Sequence, residues 1–354
     1  MRPAGLYVHF PFCRRACFYC HFFKRVFRPR DAASFLPLLQ RELRLRRDPG
    51  LRVDSVYFGG GSPSLLEPGQ AAALLEAAAR SFALDAGAEV TLEANPEDLS
   101  PARLRGLRGA GVNRLSIGVQ SFQERDLRFL RRGHDAAASV AAVAMARDAG
   151  FANVSLDLMI GLPAQTARSM ELNFRLLGAL RPEHVSVYIL ENAPLPAGAQ
   201  PSPERDARLY HQARRALAVL GYSHYEVSNF ARPGRASRHN LKYWRMEPYI
   251  AVGPSAAGFL AGRDYRDVAD LGRYGEAVRG GRLPEARSKP LDPAQRRVVT
   301  GLRLLEGIPA AALDPFREQA GFLLKEKFLV RRDENIAVPA QKILLLNEIL
   351  EYFI

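Results

Sequence analysis

Six short runs of β-branched and aromatic residues recur along the first two thirds of this chain, each separated from the next by an amphipathic segment. That alternation is the strongest constraint on its fold. The runs are LYVHF (6–10), SVYF (55–58), EVTLE (89–93), RLSIGV (114–119), NVSLDLM (153–159) and HVSVYIL (184–190). Between them, AASFLPLLQRELRLR (32–46), QAAALLEAAARSF (70–82), ASVAAVAMARDAG (138–150) and SMELNFRLLGAL (169–180) carry apolar residues at helical spacing. Strands alternating with helices predict parallel pairing, each strand reaching the next by a right-handed helical crossover. Six such units predict an α/β fold built as a partial, open (β/α)6 TIM-like barrel, and a doubly wound sheet is the other arrangement open to the same units.

A chain of 354 residues, 47% of them hydrophobic, buries one large core plus a smaller appended domain. The expected division is a barrel over 1–222, a connecting region over 223–289 and a short helical or winged-helix-like C-terminal domain over 290–354. The last contains the helix-like stretches RRVVTGLRLLEG and QKILLLNEILEYF. No apolar run approaches the roughly 20 residues needed to cross a bilayer, so membrane contact is expected to be peripheral at most. The N-terminus does not read as a secretory signal, and the expected compartment is the cytoplasm. A formal charge of +13 raises the question of nucleic acid. The arginines, however, are scattered along helices, as in RELRLRR (41–47), with no aromatic-interleaved basic stripe. A solvated basic surface, able to favour an anionic ligand, is the expected reading.

All three cysteines, Cys13, Cys17 and Cys20, lie within eight residues just after the first strand run. Thiolates at this C-x3-C-x2-C spacing wrap one corner of an iron-sulfur cube, whereas ferredoxin-type cubes use four cysteines. Three ligands leave one iron an open position. A disulfide would leave one thiol over, and a structural zinc ion would need His9 or His21 as a fourth ligand.

Polar residues gather at the C-terminal ends of successive strands. After the cysteines come Gly59, Gly60, Gly61, Ser62 and Pro63 behind the second strand, Glu93 with Asn95 and Pro96 at the third, Gln120 at the fourth and Asp157 within the fifth. In a (β/α) barrel those ends form one pocket. The glycines allow close backbone approach without forming a phosphate loop, because the Walker Lys-Ser/Thr is missing. Glu93 and Asp157 suit hydroxyl or ammonium groups, and Arg132 suits a carboxylate. A ligand carrying amino, carboxylate and ribose groups would use them all and could chelate the open iron.

The stretches LYVHFPFCRRACFYC, YFGGGSPSLL, TLEANPEDLS, GVNRLSIGVQSF followed by RRGH, SLDLMIGLPAQT and EVSNFARPGRASRHNLKYW, in this order over roughly 5–260, resemble radical S-adenosylmethionine (SAM) enzymes. The resemblance is specifically to the branch of oxygen-independent coproporphyrinogen III oxidase and its heme-chaperone relatives. It implies a [4Fe-4S] cluster on Cys13, Cys17 and Cys20, with SAM on the fourth iron through its amino and carboxylate groups. It also implies SAM contacts from Tyr7, Tyr19, Gly60, Gly61, Ser62, Glu93, Gln120, Arg132 and Asp157, and one-electron reduction of SAM to a 5′-deoxyadenosyl radical. No further catalytic residue is assigned.

Within this branch the oxidases carry a fourth cysteine two residues after the third, where this chain has Phe22. His239, Asn240, Leu241, Lys242, Tyr243 and Trp244 match the HNxxYW signature of the heme chaperones. The resemblance therefore implies heme as the cargo, with His239, Tyr243 and Trp244 as its site, unidentified client hemoproteins or heme donors as partners, no nucleic acid, and a monomer or dimer. Imidazole is a common axial ligand and aromatic rings line porphyrin faces. The alternative is an oxygen-independent coproporphyrinogen III oxidase. Two departures stand out: His21 replaces the usual Asp after the last cysteine, and Ala257 replaces the histidine expected within AVGPSAAGF (251–259).

Overall fold

The first strand, β1 (Ala4–Phe10), is buried along almost its whole length, and the chain winds five more parallel strands outward from it. A computed structural model describes residues 2–190, 202–286 and 292–354. In chain order come α1 (Pro29–Leu45), β2 (Asp48–Gly60), α2 (Pro68–Ser81), β3 (Phe82–Ala94), α3 (Pro101–Gly109), β4 (Arg114–Gln120), α4 (Glu124–Phe129), α5 (Ala136–Asp148), β5 (Val154–Ile160), α6 (Ala167–Leu180) and β6 (His184–Ile189). Strands β1 to β6 pair in sequence order and all in parallel. The fold is the expected α/β barrel.

Side chains alternate between two environments along these strands. Leu6, Val8, Val56, Phe58, Leu92, Leu115, Ile117, Leu156, Leu158, Val185 and Val187 join the apolar core. The alternate positions Ser55, Thr91, Arg114, Ser116, Ser155, His184 and Ser186 are buried yet polar. A parallel strand covered by helices reads as a nearly continuous apolar run, so this regular polar phase marks an interior that holds chemistry.

The region from 223 onward completes both ends of the same sheet. After α7 (Pro203–Val219), β7 (Ser223–Glu226) and β8 (Asn229–Ala231) run antiparallel beyond β6. A short helix, α8 (Arg238–Trp244), leads into β9 (Tyr249–Val252), which pairs in parallel with the free side of β1. That seventh parallel strand was not among the six read from the sequence. Strands β10 (Ala257–Leu260) and β11 (Arg263–Arg266) then extend this edge antiparallel, giving 11 strands in all. Arg46 clamps the edge to α1 through Glu42 (2.8 Å), Asp267 (2.7 Å) and Glu285 (3.1 Å).

Beyond α9 (Leu271–Arg279), the C-terminal region packs α10 (Pro293–Gly301) and α11 (Arg317–Lys325) with a small antiparallel sheet of β12 (Ile308–Pro309), β14 (Asn335–Ala337) and β13 (Val330–Arg332). The expected boundary at 289/290 lies outside the described residues. The main-chain bonds Val227 N–H to Arg303 O (3.1 Å) and Leu305 N–H to Tyr225 O (3.0 Å) stitch this region to the barrel edge. Among the described residues no helix is long and apolar enough to cross a membrane.

Candidate functional site

The glycine segment shapes the mouth of the barrel. Gly60 ends β2 at φ 103°, and a Cβ there would stand 2.4 Å from the His9 ring. A Cβ on Gly61 would come within 2.7 Å of the carbonyl oxygens of Phe10 and Phe12. Only glycine permits this approach. It lets Gly61 N–H donate to Phe10 O and Ser62 N–H to Phe12 O, both at 2.8 Å, so the glycine backbone lies directly against the start of the cysteine loop.

Cys13, Cys17 and Cys20 are half-buried and line one pocket with Tyr19, Gly60, Gly61, Ser62, Glu93, Gln120, Arg132 and Asp157. The loop is anchored where Phe12–Cys13 pairs with Arg25–Val26, and Lys24 Nζ donates to the Cys20 carbonyl. Burial, with Cys20 and Cys17 adding to it, pushes the Cys13 thiol up to about 11 despite the Ser62 contact. Bound iron would offset that cost by stabilising the thiolate. Among the described residues no three His, Cys, Asp or Glu side chains converge closely enough to hold a single metal ion. Cysteines arranged around a shared pocket instead suit a cluster whose irons occupy separate corners. His9, a candidate fourth zinc ligand, has Nδ1 against Tyr7 Oη (3.1 Å) and Nε2 against Phe23 O (2.9 Å).

A polar chain ties the strand ends to this loop. Asn95 Nδ2 donates to Ser62 Oγ (2.8 Å), Arg132 Nη2 to Asn95 Oδ1 (2.5 Å) and to Gly118 O (2.9 Å), and Arg132 Nη1 to Tyr19 Oη (3.2 Å). The same Nη1 lies 4.0 Å from Cys17 Sγ. Asn95, one of the polar residues the sequence gathers at the strand ends, thus bridges Ser62 and Arg132 within the site. Arg132 Nε and Gln120 Oε1 are buried without partners among the described residues, one donor and one acceptor beside the pocket. Gln120 adopts φ 65°, a strained value for a side chain of its kind.

Deeper in, Glu93 accepts from Tyr57 O–H (2.9 Å) and Gly60 N–H (3.2 Å), and Asp157 accepts from Ser116 O–H (3.1 Å). Burial, then the nearby Asp157, lifts the Glu93 carboxyl to about 7, and burial also raises Asp157. Two desolvated carboxylates of like sign favour a cationic ligand. Arg114, buried among them and unremarkable within the run RLSIGV, partly offsets their charge. Gly60 and Gly61 leave room for close backbone approach, the Gln120 and Arg132 atoms offer polar contacts, and the acid pair suits an ammonium, so these residues fit SAM.

A second cavity opens off the first through shared residues Phe22, Gly60, Glu93 and Tyr188. Its walls are aromatic, with Tyr7, Tyr57, Tyr188, Tyr243, Trp244 and Tyr249, and Arg266 and Arg303 also line it. Tyr7 lies here, not on the cysteine pocket. Phe22, 66% exposed, sits at the junction, and His21 and Ala257 also line this cavity. The buried atoms Trp244 Nε1, Asn229 Oδ1 and Glu226 Oε1 have no partners among the described residues, although these side chains belong to the same wall.

His239 lies behind that wall. Ser237 caps α8 by accepting from Asn240 N–H (3.3 Å), which starts a helix whose i and i+4 side chains share a face. The His239 ring is fully buried, with Nδ1 3.1 Å from Ser55 Oγ and Nε2 2.9 Å from Tyr243 Oη. Burial, then Lys242 and Arg114, depresses its pKa to about 3, while burial raises the Tyr243 hydroxyl well above the usual range. Both groups are neutral, and each ring nitrogen of His239 shares a hydrogen bond, with Ser55 and with Tyr243, whose direction the imidazole tautomer sets. His239 therefore has no free ring nitrogen to offer a ligand in this arrangement, and it is Tyr243 and Trp244 that reach the cavity.

A parallel barrel carrying three clustered cysteines, a glycine cradle and a polar shell on its C-terminal face defines a radical SAM protein. A family model described as the radical SAM superfamily matches residues 7–177. The radical S-adenosyl methionine domain-containing protein 1, mitochondrial, of Bos taurus is 39% identical over 338 residues, covering 88% of this chain and 73% of that protein. The heme chaperone HemW of Lactococcus lactis is 32% identical over 372 residues, covering 100% and 98%. The solved structure of coproporphyrinogen III oxidase HemN from Escherichia coli superposes with TM-score 0.86 at 26% identity, over 99% of this chain and 90% of that one. The chain belongs to the radical SAM superfamily, in the family that includes the HemW proteins. That membership implies a [4Fe-4S] cluster and SAM.

Proposed function

We propose that this chain is a cytoplasmic heme chaperone: it holds heme in the aromatic cavity beside its cluster site and passes it to client hemoproteins. The observation that carries this reading is the cavity itself. Its aromatic walls suit the two faces of a flat macrocycle, and the guanidinium groups of Arg266 and Arg303 suit two propionates. The end-to-end likeness to proteins named heme chaperone HemW supports it. In this reading Cys13, Cys17 and Cys20 hold the cluster, Gly60, Gly61 and Ser62 take the methionyl end of SAM, and Glu93 faces its ammonium. Arg132 keeps Tyr19 and the cysteine loop in register with the strand ends. When bound, the cluster and SAM supply one-electron chemistry. The chain works as a monomer or dimer, without nucleic acid and with at most peripheral membrane contact.

The likeness to HemN supports a second reading, oxidation of coproporphyrinogen III. Phe22, in place of the oxidases' fourth cysteine, weighs against it. Anaerobic incubation of the cluster-loaded protein with SAM, a reductant and coproporphyrinogen III separates the two. The chaperone reading expects the porphyrinogen mass to be unchanged, and loss of carbon dioxide from its propionates overturns it.

A further inference from the structure

The chain between the first two cysteines is tied down by a single side-chain contact, and the buried acid at its far end lies outside the pocket. We propose that this acid, Asp98, is a positioning residue for the cysteine loop: through Arg14 it fixes residues 14–16, and with them the spacing of Cys13 and Cys17, before a cluster binds. The assignment rests on the cluster that membership of the superfamily implies and is independent of the heme reading.

Main-chain bonds secure the loop at its cysteines. Phe27 N–H donates to Cys13 O (2.8 Å) and Cys20 N–H to Cys17 O (3.3 Å). Arg14, Arg15 and Ala16, all exposed, make no main-chain hydrogen bond among the described residues. Their one side-chain tether there is Arg14 Nε, which donates to Asp98 Oδ1. The acid is the fixed partner, because its side chain is 1% exposed against 54% for Arg14. Its other oxygen, Oδ2, accepts from Ser64 O–H (2.8 Å), and the Ser64 hydroxyl in turn accepts from Asn95 N–H (3.3 Å). A desolvated carboxylate held in this way draws the arginine to itself rather than following it. Arg15, one residue further on, joins no hydrogen bond or salt bridge among the described residues.

Asp98 belongs to the turn Pro96–Asp98 that follows β3, and this turn reaches three loops. Asn95 donates to Ser62 and receives Arg132, Glu97 meets His134 Nδ1 (2.8 Å), and Asp98 takes Arg14 and Ser64. The cysteine loop is thereby set against the glycine segment and the Arg132 loop from one point. A three-cysteine site gains from this. Ordering exposed chain costs conformational entropy, and a span ordered in advance leaves less to lose when iron binds. The pair also sets the charge beside the cysteines, and local charge tunes the potential of an iron-sulfur cluster. Arg14 and Asp98 offset one another, so removing either alone moves that potential, and the two removals move it in opposite directions.

The experiment compares wild type, Arg14→Ala, Asp98→Asn, the double variant and Arg15→Ala after anaerobic reconstitution. Decay of the cluster absorbance under chelator gives the rate of cluster loss, a redox titration gives the midpoint potential, and a melt of the cluster-free chain checks each fold. Arg14→Ala and Asp98→Asn should each hasten cluster loss about tenfold or more, as removal of a contact behind a metal ligand does. The double variant should be no faster than the faster single one, and Arg15→Ala should match wild type. Arg14→Ala should lower the midpoint potential by removing a cation and Asp98→Asn should raise it by removing an anion, an opposition that a purely structural role does not produce. Should Asp98→Asn fail to fold, Arg14→Ala, changed on the exposed side, decides alone. Cluster loss at the wild-type rate in Arg14→Ala, equal acceleration in Arg15→Ala, single effects that multiply in the double variant, or potentials that move together overturn the assignment. Wild type that takes up no cluster overturns the cluster reading itself.

Discussion

Replacing Glu93 with glutamine should reverse sign with pH. The folded carboxyl sits at about 7 against the usual 4.5, because burial and Asp157 disfavour its charge. The folded protein therefore keeps a proton that the unfolded chain releases as pH rises from about 4.5 to 7. This raised carboxyl leaves stability intact below the unfolded value and costs stability progressively as pH climbs to 7, up to about 3 kcal/mol at 1.36 kcal/mol per pH unit. Glutamine does not titrate. It offers only one acceptor, however, where Glu93 serves both Tyr57 O–H and Gly60 N–H, so the variant loses about 1 kcal/mol at every pH. The variant should be about 1 kcal/mol less stable than wild type at pH 4, close to it near pH 5 and about 2 kcal/mol more stable at pH 8. Urea unfolding followed by far-ultraviolet circular dichroism at unit pH steps reads both curves. Saturating SAM, whose ammonium would hold Glu93 ionised, should flatten the wild-type slope. Parallel curves, or wild type gaining on the variant toward pH 8, would refute the reasoning.

Cys17→Ser should abolish the broad cluster absorbance after anaerobic reconstitution, read against iron content per chain. Gly60→Ala places a Cβ 2.4 Å from the His9 ring at φ 103°, and should lower stability by about 1–3 kcal/mol in a thermal melt and remove SAM binding by calorimetry. Arg132→Met cuts the link between Asn95 and Tyr19 and should accelerate loss of the cluster under chelator, measured as the decay of its absorbance. Arg46→Met leaves buried Glu42 and Asp267 facing each other and should destabilise the protein by about 3–5 kcal/mol, seen in the same melt with the cysteine pocket intact.

The barrel was legible because its outward strand positions are consistently apolar and its crossovers consistently amphipathic. The site was legible because Cys13, Gly60, Glu93, Gln120 and Asp157 recur at the same point in successive β/α units. What stayed hidden had weak local signals. Strand β9 is the four residues YIAV behind a short helix, with no crossover of its own to announce a parallel partner for β1. Arg114 and Ser116 fall within a run that reads as an ordinary strand, and only the curled sheet sets them inward beside Asp157. In HNLKYW the i, i+4 spacing sets His239 and Tyr243 on one face, but how closely His239 packs on β1 depends on Gly5, which lies 234 residues earlier in the sequence.

The most direct test of the account is an anaerobic heme titration of the protein carrying its cluster and SAM. The account predicts saturable uptake stoichiometric with the chain while cluster absorbance and SAM binding persist, because the two cavities meet at Phe22, Gly60, Glu93 and Tyr188 and the cysteine ligands line only the first. Heme that binds only by displacing the cluster or SAM, or that fails to saturate at the chain's concentration, would contradict it.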